Sequence, residues 1–268
     1  MSPVHQLAIF GATGRMGQSL IRVLGETKRF ELCGAVASAK SASLGKSPFG
    51  AGGAEGSLVV THEVEDALAG ATVAIDFSLP QAVAAHVNAC AAARVPLLVG
   101  VTGMDEATLG LVAQAAQQIA ILVASNTSVG VNVVAKLAAL AAQALGSGYD
   151  VEILESHHRM KRDAPSGTAL SLGEAVARAR GTTLSASAVY DRHSESGPRR
   201  PGSIGFSVVR AGDIVGEHTV LFAAEGERIE ITHRASDRLN FARGALRAAE
   251  WLIGRPAGRY SIEDALGL

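Results

Sequence analysis

The chain has 268 residues, a hydrophobic content of 48% and a formal net charge of −1. A chain of this length and composition can bury a sizeable core, as one large or two modest domains, which excludes an intrinsically disordered protein. The nearly neutral charge, with no long basic stripe and no aromatic stacking platform, argues against a nucleic-acid partner. Apolar runs that alternate with helical patterns favour an α/β fold.

The N-terminus and the cysteines predict a cytoplasmic location. Residues 1–6 lack the basic region of a signal peptide. Cys33 and Cys90 match no metal-binding spacing and are interpreted as small buried hydrophobic residues in a reducing compartment. The most apolar helical stretch, residues 129–145, contains polar side chains that interrupt it too often for a bilayer span. We therefore expect no membrane partner and no metal site.

The chain begins with a pattern of strand, glycine turn and helix. A strand is predicted at residues 4–10, the turn reads Gly11-Ala12-Thr13-Gly14-Arg15-Met16-Gly17, and a second strand at residues 31–37 completes a βαβ unit. Gly11 permits a tight turn, Gly14 the approach of a pyrophosphate, and Gly17 close packing of helix and sheet. Because Thr13 replaces the second glycine of the GxGxxG motif, the prediction of a dinucleotide site rests on the strand before the turn and the helix after it. The alternative is a purely structural turn.

The end of the second strand departs from the pattern of an NAD site. A carboxylate is expected there to bind the ribose 2′-hydroxyl, but residues 36–40 read Val-Ala-Ser-Ala-Lys. Arg15, Ser38 and Lys40 could instead bind a 2′-phosphate. The sequence predicts that NADPH is used at least as well as NADH.

The next stretch continues the alternation of strands and helices. Residues 39–57 are rich in Gly and Ser and are interpreted as a surface loop. Helices are predicted at 63–69, 80–94 and 105–118, and strands at 72–77, 96–100 and 119–124. This order predicts a parallel sheet, with ligands beyond the carboxyl ends of its strands. Residues 76–78, 100–103 and 124–127 are therefore candidate ligand contacts, although ordinary loop polarity explains each of them equally well.

The pattern changes after residue 128. Helices are predicted at 129–145, 167–180 and 237–253, and strands at 150–155, 203–210, 213–223 and 227–234. The last strands alternate apolar and charged residues, which indicates a mixed or antiparallel sheet. The polar connection at 186–202 is a candidate lid.

Residues 155–169, here called the histidine segment, concentrate acid–base chemistry. Adjacent His157 and His158 are followed by three fixed cations, Arg159, Lys161 and Arg162, and by one nearby anion. The segment then enters a helix whose first N–H groups can bind a carboxylate or a phosphate. This combination predicts an anionic substrate. Each of these residues taken alone is equally typical of a solvated surface.

Four motifs in order resemble the signatures of the dihydrodipicolinate reductase family: residues 11–17, 126–132, 155–169 and 209–218. The resemblance covers nearly the whole chain. It implies an α/β protein with an N-terminal Rossmann-like parallel sheet domain, residues 1–127 rejoined by 238–268. It also implies a mixed-sheet α+β domain, residues 128–237, that binds substrate and forms a homotetramer.

The resemblance also implies a reaction, the NAD(P)H-dependent reduction of 4-hydroxy-tetrahydrodipicolinate, a cyclic dicarboxylate, in diaminopimelate and lysine biosynthesis. It implies that His157 and Lys161 form the acid–base pair and that His158, Gly167 and Thr168 bind substrate. The implied cofactor contacts are Gly11, Ala12, Thr13, Gly14, Arg15, Met16, Gly100, Val101, Thr102, Ala124, Ser125, Asn126 and Thr127. An imidazole suits proton transfer near neutral pH, and a lysine ammonium can donate a proton or polarise the ring nitrogen.

Two other functions share part of this pattern. A regulator that senses NAD(P) without turnover would share the glycine turn but would not need the histidine segment. A short-chain dehydrogenase needs Tyr-x-x-x-Lys, and Tyr149, Tyr190 and Tyr260 are followed four residues on by Ile, Ser and Asp. That class is excluded.

Overall fold

The computed structural model describes residues 3–50, 58–193 and 197–268. The chain divides into two compact units, one of Met1–Ser128 with Leu239–Leu268 and one of Val129–Arg238. Parts of the predicted surface loop and of the candidate lid, residues 51–57 and 194–196, lie outside the described residues.

The strands are β1 (His5–Phe10), β2 (Phe30–Val36), β3 (Val73–Asp76), β4 (Leu97–Val99), β5 (Ala120–Val123), β6 (Asp150–His157), β7 (Ala188–Val189), β8 (Ile204–Arg210), β9 (Gly216–Ala224), β10 (Glu227–Ala235) and β11 (Gly258–Tyr260). The helices are α1 (Arg15–Leu24), α2 (Val64–Leu68), α3 (Pro80–Ala93), α4 (Glu106–Ala115), α5 (Val129–Leu145), α6 (Gly167–Ala179), α7 (Leu184–Ser187), α8 (Leu239–Leu252) and α9 (Ile262–Leu266).

The first unit is built on a six-stranded parallel sheet in the order β11-β5-β4-β3-β1-β2. Its central strands are continuous apolar runs because helices cover both faces of the sheet. One face packs on α1 and α8, and the other packs on α3 and α4. The Rossmann-like sheet predicted from the sequence is confirmed. Cys90 is buried as predicted, whereas Cys33 is only half-buried, so that part of the prediction is wrong.

The second unit contains a five-stranded mixed sheet in the order β10-β9-β6-β8-β7. The central strand β6 runs parallel to β8 and antiparallel to β9. Alternate residues of β6 are buried against α5 and α6, where Ile153, Leu172 and Phe222 belong to one core. The opposite face of the sheet leaves Leu154 and Val209 41% and 49% exposed.

Helix α5 and the 3-10 turn after it, Val129–Gly148, are long and apolar enough to cross a membrane by length and composition alone. Length and composition therefore contradict the expectation that polar side chains interrupt this stretch too often for a bilayer span. Val134, Ala138 and Ala142 nevertheless lie in the core of the second unit. One face of this helix is thus used for packing within the protein.

The ends of two strands differ from the sequence prediction in ways that matter for the site. Strand β6 continues to His157 because His157 pairs with Arg210 of β8, so this histidine lies on a strand and not in the following loop. Strand β9 begins at Gly216 and not at residue 213. The short elements β7, β11, α7 and α9 were not predicted.

Candidate functional site

The glycine turn between β1 and α1 has the geometry expected of a phosphate-binding turn. Gly11 has φ of +77°, and a Cβ there would lie 2.6 Å from the Phe77 carbonyl oxygen. A Cβ on Gly17 would lie 2.3 Å from the Gly11 carbonyl oxygen. Helix α1 starts after Gly14 with no side chain capping it, so its first N–H groups remain available to an anion.

A cavity of about 540 Å³ opens beside this turn. It is lined by Gly11, Thr13, Gly14, Val36, Ala37, Ser38, Ala39, His62, Val64, Phe77, Ser78, Leu79, Gln81, Ala82 and His86. Arg15 and Lys40 are exposed and do not line this cavity, and Ala12 is fully buried. Of the residues predicted around a 2′-phosphate, only Ser38 therefore lines the cavity.

A buried pair at the end of β3 supports one wall of the same cavity. The Oδ2 atom of Asp76 lies 2.8 Å from Nδ1 of His86, and the Ser78 amide donates to Oδ1 of Asp76 at 2.8 Å. Residues 76–78 were candidate contacts from the sequence, but His86 was missed. Its position two turns into α3 gave no signal beyond helical spacing.

The other two predicted strand ends lie on neighbouring strands of this sheet. Gly100 follows β4 and Ala124 follows β5, and a Cβ on Gly100 would lie 2.1 Å from the Phe77 ring. Val101, Ala124 and Thr127 are buried, whereas Thr102 and Ser125 are exposed. The Thr127 hydroxyl donates to the Phe241 carbonyl at 2.8 Å, which attaches this strand end to α8.

Glu155 is the centre of a hydrogen-bond network in the histidine segment. Its carboxylate is 2% exposed and accepts two bonds of 2.7 Å from the Arg210 guanidinium. It also accepts from the Ser166 amide at 3.0 Å and lies 2.5 Å from Nδ1 of His157. Sequence reasoning missed this role. Glu155 and His157 are two residues apart on one strand, so their side chains lie on the same face of the sheet.

The network sets the protonation state of His157. Burial alone would raise the pKa of Glu155, but hydrogen bonds from Arg210, His157 and the Ser166 amide outweigh it and lower that pKa. Burial lowers the pKa of His157, Glu155 opposes this effect, and the charges of Lys161 and Arg210 add to it. A neutral His157 that donates from Nδ1 to Glu155 leaves Nε2 as a free proton acceptor.

His218 holds the start of α6 from the neighbouring strand β9. Its Nε2 lies 2.9 Å from the Ser166 hydroxyl, which accepts from the Ala169 amide at 3.1 Å as the cap of α6. Burial and the charge of His157 lower the pKa of His218 to about 4, so the ring is neutral at pH 7. His218 belongs to the sequence motif at residues 209–218, but the sequence assigned it no role.

Two further side chains define the charge around the segment. Lys161 Nζ lies 2.9 and 2.8 Å from the two carboxylate oxygens of Asp163, whose pKa is lowered by this hydrogen bond. The guanidinium of Arg238 lies 3.0 Å from Nε2 of His158. Arg238 was missed because it is distant in sequence. Arg159 and Arg162 are exposed.

Comparison with known proteins identifies relatives along the whole chain. The family model described as "Dihydrodipicolinate reductase, N-terminus" matches residues 5–127, and "Dihydrodipicolinate reductase, C-terminus" matches residues 130–266. A protein of Thiobacillus denitrificans named 4-hydroxy-tetrahydrodipicolinate reductase is 49% identical over 263 residues, 98% of each chain. Its namesake in Alkalilimnicola ehrlichii is 51% identical over 267 residues, 98% of this chain and 99% of the relative.

Solved structures share the fold. Dipicolinate-bound dihydrodipicolinate reductase from Paenisporosarcina sp. TG-14 superposes with a TM-score of 0.80 at 24% identity, over 98% of this chain and 99% of the other. An amine dehydrogenase from Mycobacterium smegmatis gives 0.63 at 12% identity, over 97% and 95% of the two chains.

Proposed function

The chain belongs to the dihydrodipicolinate reductase family, and from this premise we propose that it reduces 4-hydroxy-tetrahydrodipicolinate to tetrahydrodipicolinate with NAD(P)H, in diaminopimelate and lysine biosynthesis. One observation carries the assignment of the reaction to particular residues. His157 is hydrogen-bonded to a buried carboxylate, 2.5 Å away, in the same segment as Lys161 and the start of α6. A protein that only sensed the cofactor would not need this arrangement.

The first unit supplies the proposed cofactor site. Two features of this unit fit a pyrophosphate. The first is the backbone turn at Gly11 and Gly17, where a Cβ would fill the available space. The second is the start of α1, which no side chain caps. When bound, the nicotinamide supplies the hydride. Backbone around Gly11–Met16, Gly100–Thr102 and Ala124–Thr127 is proposed to contact the cofactor.

The second unit is proposed to hold the dicarboxylate and to manage one proton. The amides of Gly167 and Thr168 at the start of α6, with His158 and Arg238, suit the carboxylates. The free Nε2 of His157 faces the backbone of Gly216, where a Cβ would lie only 3.1 Å away. We assign the proton transfer to His157 and Lys161 together, because both belong to the histidine segment and because the charge of Lys161 adds to the burial that lowers the pKa of His157.

A steady-state assay with enzymatically generated substrate tests this proposal, by following loss of the reduced cofactor's absorbance. Removing a group that is positioned for proton transfer lowers rates roughly 10²- to 10⁴-fold, so we expect His157→Ala and Lys161→Ala to lose kcat on this scale. Thr168→Ala should mainly raise KM. Arg162→Ala, which removes an exposed cation of the same segment, is the matched control. Wild-type kcat in both catalytic variants would refute the assignment, and an absence of turnover in the wild-type protein would favour the sensing regulator.

The proposal that NADPH is used at least as well as NADH rests on the lining of the first unit's cavity. None of the described residues that line it carries a carboxylate, and the position expected to be acidic is Ala37. Lys40 is exposed, with its amide 3.3 Å from the Ser38 hydroxyl, and is proposed to reach a 2′-phosphate. Lys40→Ala should then lower kcat/KM for NADPH and leave NADH unchanged. Better use of NADH by the wild-type protein, with no effect of the substitution, would contradict this proposal.

We also propose a cytoplasmic homotetramer that forms through the open face of the second sheet. Leu154 and Val209 project from this face on adjacent strands β6 and β8 and are 41% and 49% exposed. Exposed apolar residues grouped on one surface are typical of an interface. Light scattering should show tetramers for the wild type and smaller species for Leu154→Arg. Met160→Arg replaces an exposed apolar side chain outside this face and is the control.

A further inference from the structure

A second cavity lies in the second unit, between the ends of α5 and α6 and the residues that precede β8. Its volume is about 510 Å³, which is in the usual range for small-molecule sites. The polar residues in its lining include Gln143, Ser147, Arg180, Ser187, Arg200 and Ser203. The function proposed above makes no use of this cavity.

Arg180 has hydrogen-bonding capacity that the chain does not use. Its Nη2 donates to the Tyr149 carbonyl at 2.7 Å, but its buried Nε and Nη1 atoms have no partner. Burial, and then the charge of Arg199, lower the pKa of Arg180, and the charge of Asp150 opposes them in part. Unpartnered buried donors are rare in native proteins and usually have a water or an ion as partner. A buried guanidinium with unpartnered donors lowers the stability of the folded protein, and a bound anion would remove part of that loss.

The nearby carboxylates are already engaged by other arginines. Glu152 forms ion pairs with Arg192 and Arg199, and Asp150 lies 2.9 Å from Arg199. Among the described residues, neither Arg180 nor Arg200 has an ion-pair partner. Arg200 is exposed and makes one long bond of 3.4 Å to the Ala186 carbonyl. Neither guanidinium group at this cavity therefore has a carboxylate within ion-pair distance, although the charge of Asp150 acts on Arg180 from further away.

We propose that this cavity binds a small phosphate-bearing anion, held by Arg180 and Arg200. A guanidinium presents a planar fork of N–H donors that matches phosphate oxygens. The carbonyl ends of α5 and α6 both lie at the cavity, and each opposes an anion with about half a charge. The two full positive charges of the guanidinium groups outweigh this opposition.

This anion site is separate from the histidine segment. Strand β6 has Asp150 at the end near the cavity and His157 at the other end. Seven residue steps along a strand span about 23 Å, so phosphate in the cavity does not compete with a dicarboxylate bound at the start of α6. Both sites are nevertheless joined by one strand and one helix of the same unit.

Calorimetric titration of the full chain with inorganic phosphate tests the proposal. Saturating NADPH and pyridine-2,6-dicarboxylate are present, so that the other anion sites are filled. We expect saturable binding of one phosphate per chain. Because a charge-assisted hydrogen bond contributes on the order of a tenfold change in affinity or more, Arg180→Gln and Arg200→Gln should each weaken binding at least roughly tenfold.

Arg178→Gln is the matched control, because Arg178 is an exposed arginine near the end of the same helix and does not line the cavity. It should keep wild-type affinity for phosphate. If Arg180→Gln does not fold, the exposed Arg200 decides the question. Binding that does not saturate, an equal loss in Arg178→Gln, or tighter binding of citrate than of phosphate at matched ionic strength would each overturn the proposal.

Discussion

At the scale of single residues, Glu155 determines the geometry of the histidine segment. One buried carboxylate accepts from Arg210 on β8, from His157 on its own strand and from the amide that precedes α6. A partner that hydrogen-bonds one ring nitrogen of a histidine fixes which nitrogen is free to react. Glu155 is thus a positioning residue, whereas His157 is proposed to act on the substrate.

Glu155→Gln should lower kcat, because the amide cannot stabilise a protonated His157. Loss of this proton-transfer function predicts a fall of roughly 10²-fold, at the low end for general acid–base catalysis. Glu155 raises the pKa of His157, so its neutralisation lowers that pKa further. The limb of the pH profile that reports His157 should therefore move to lower pH. Glu174→Gln, an exposed change on α6, should leave the profile in place, and an unmoved profile in Glu155→Gln would contradict the role.

Sequence reasoning predicts roles for His157 and Lys161 because their motif is local. It gave no role to Arg210 and His218, although both lie in the motif at residues 209–218, and it missed Arg238. All three reach the segment from positions more than fifty residues away in the sequence. Their positions depend on strand register, and register is not visible in a motif. His157 pairs with Arg210 because β6 and β8 align in one particular way.

At the scale of elements, the turn between β1 and α1 depends on close approach of backbone to backbone.

The continuous apolar runs made the first unit predictable from the sequence, since strands buried on both faces carry few polar residues. Short elements such as β7 and β11, with two and three residues, carry too little pattern to be predicted.

Gly17→Ala should distort the turn, since the new methyl would lie 2.3 Å from the Gly11 carbonyl oxygen. Overpacking of this kind costs about 1–3 kcal/mol, and cofactor affinity should fall with it. Gly110→Ala on α4 is the control, because nothing lies within 4 Å of its added Cβ. That change should stabilise the protein by about 0.5–1 kcal/mol. Urea unfolding and cofactor titration measure both effects, and unchanged affinity in Gly17→Ala would contradict the close-packing argument.

At the scale of the whole molecule, buried histidines link stability to pH. The folded protein holds His218 with a pKa of about 4, below its ordinary value of 6.5. Between these values the unfolded chain binds a proton that the folded chain does not, so stability falls as pH decreases through this window. His157 and His233, whose pKa values are also lowered by burial, act in the same direction.

His218→Gln should flatten the pH dependence of stability between pH 6.5 and 4. The shift of His218 corresponds to at most about 3 kcal/mol, although loss of the bond to Ser166 lowers stability at every pH. Urea unfolding at several pH values separates the change in the pH dependence of stability from the loss of stability that is the same at every pH. The exposed His193→Gln should keep the wild-type slope. An unchanged slope in His218→Gln would show that its ring does not carry the effect.

The pairing of Lys161 with Asp163 has a consequence for substrate discrimination. Because the ammonium already has a carboxylate 2.8 Å away, a ligand that engages Lys161 exchanges one anion for another. The affinity gained through this contact is then the difference between two similar ion pairs, which is small. An uncharged mimic of the substrate would have to break the existing pair with nothing in return. We therefore expect ligands that carry a carboxylate to engage Lys161 in preference to uncharged rings.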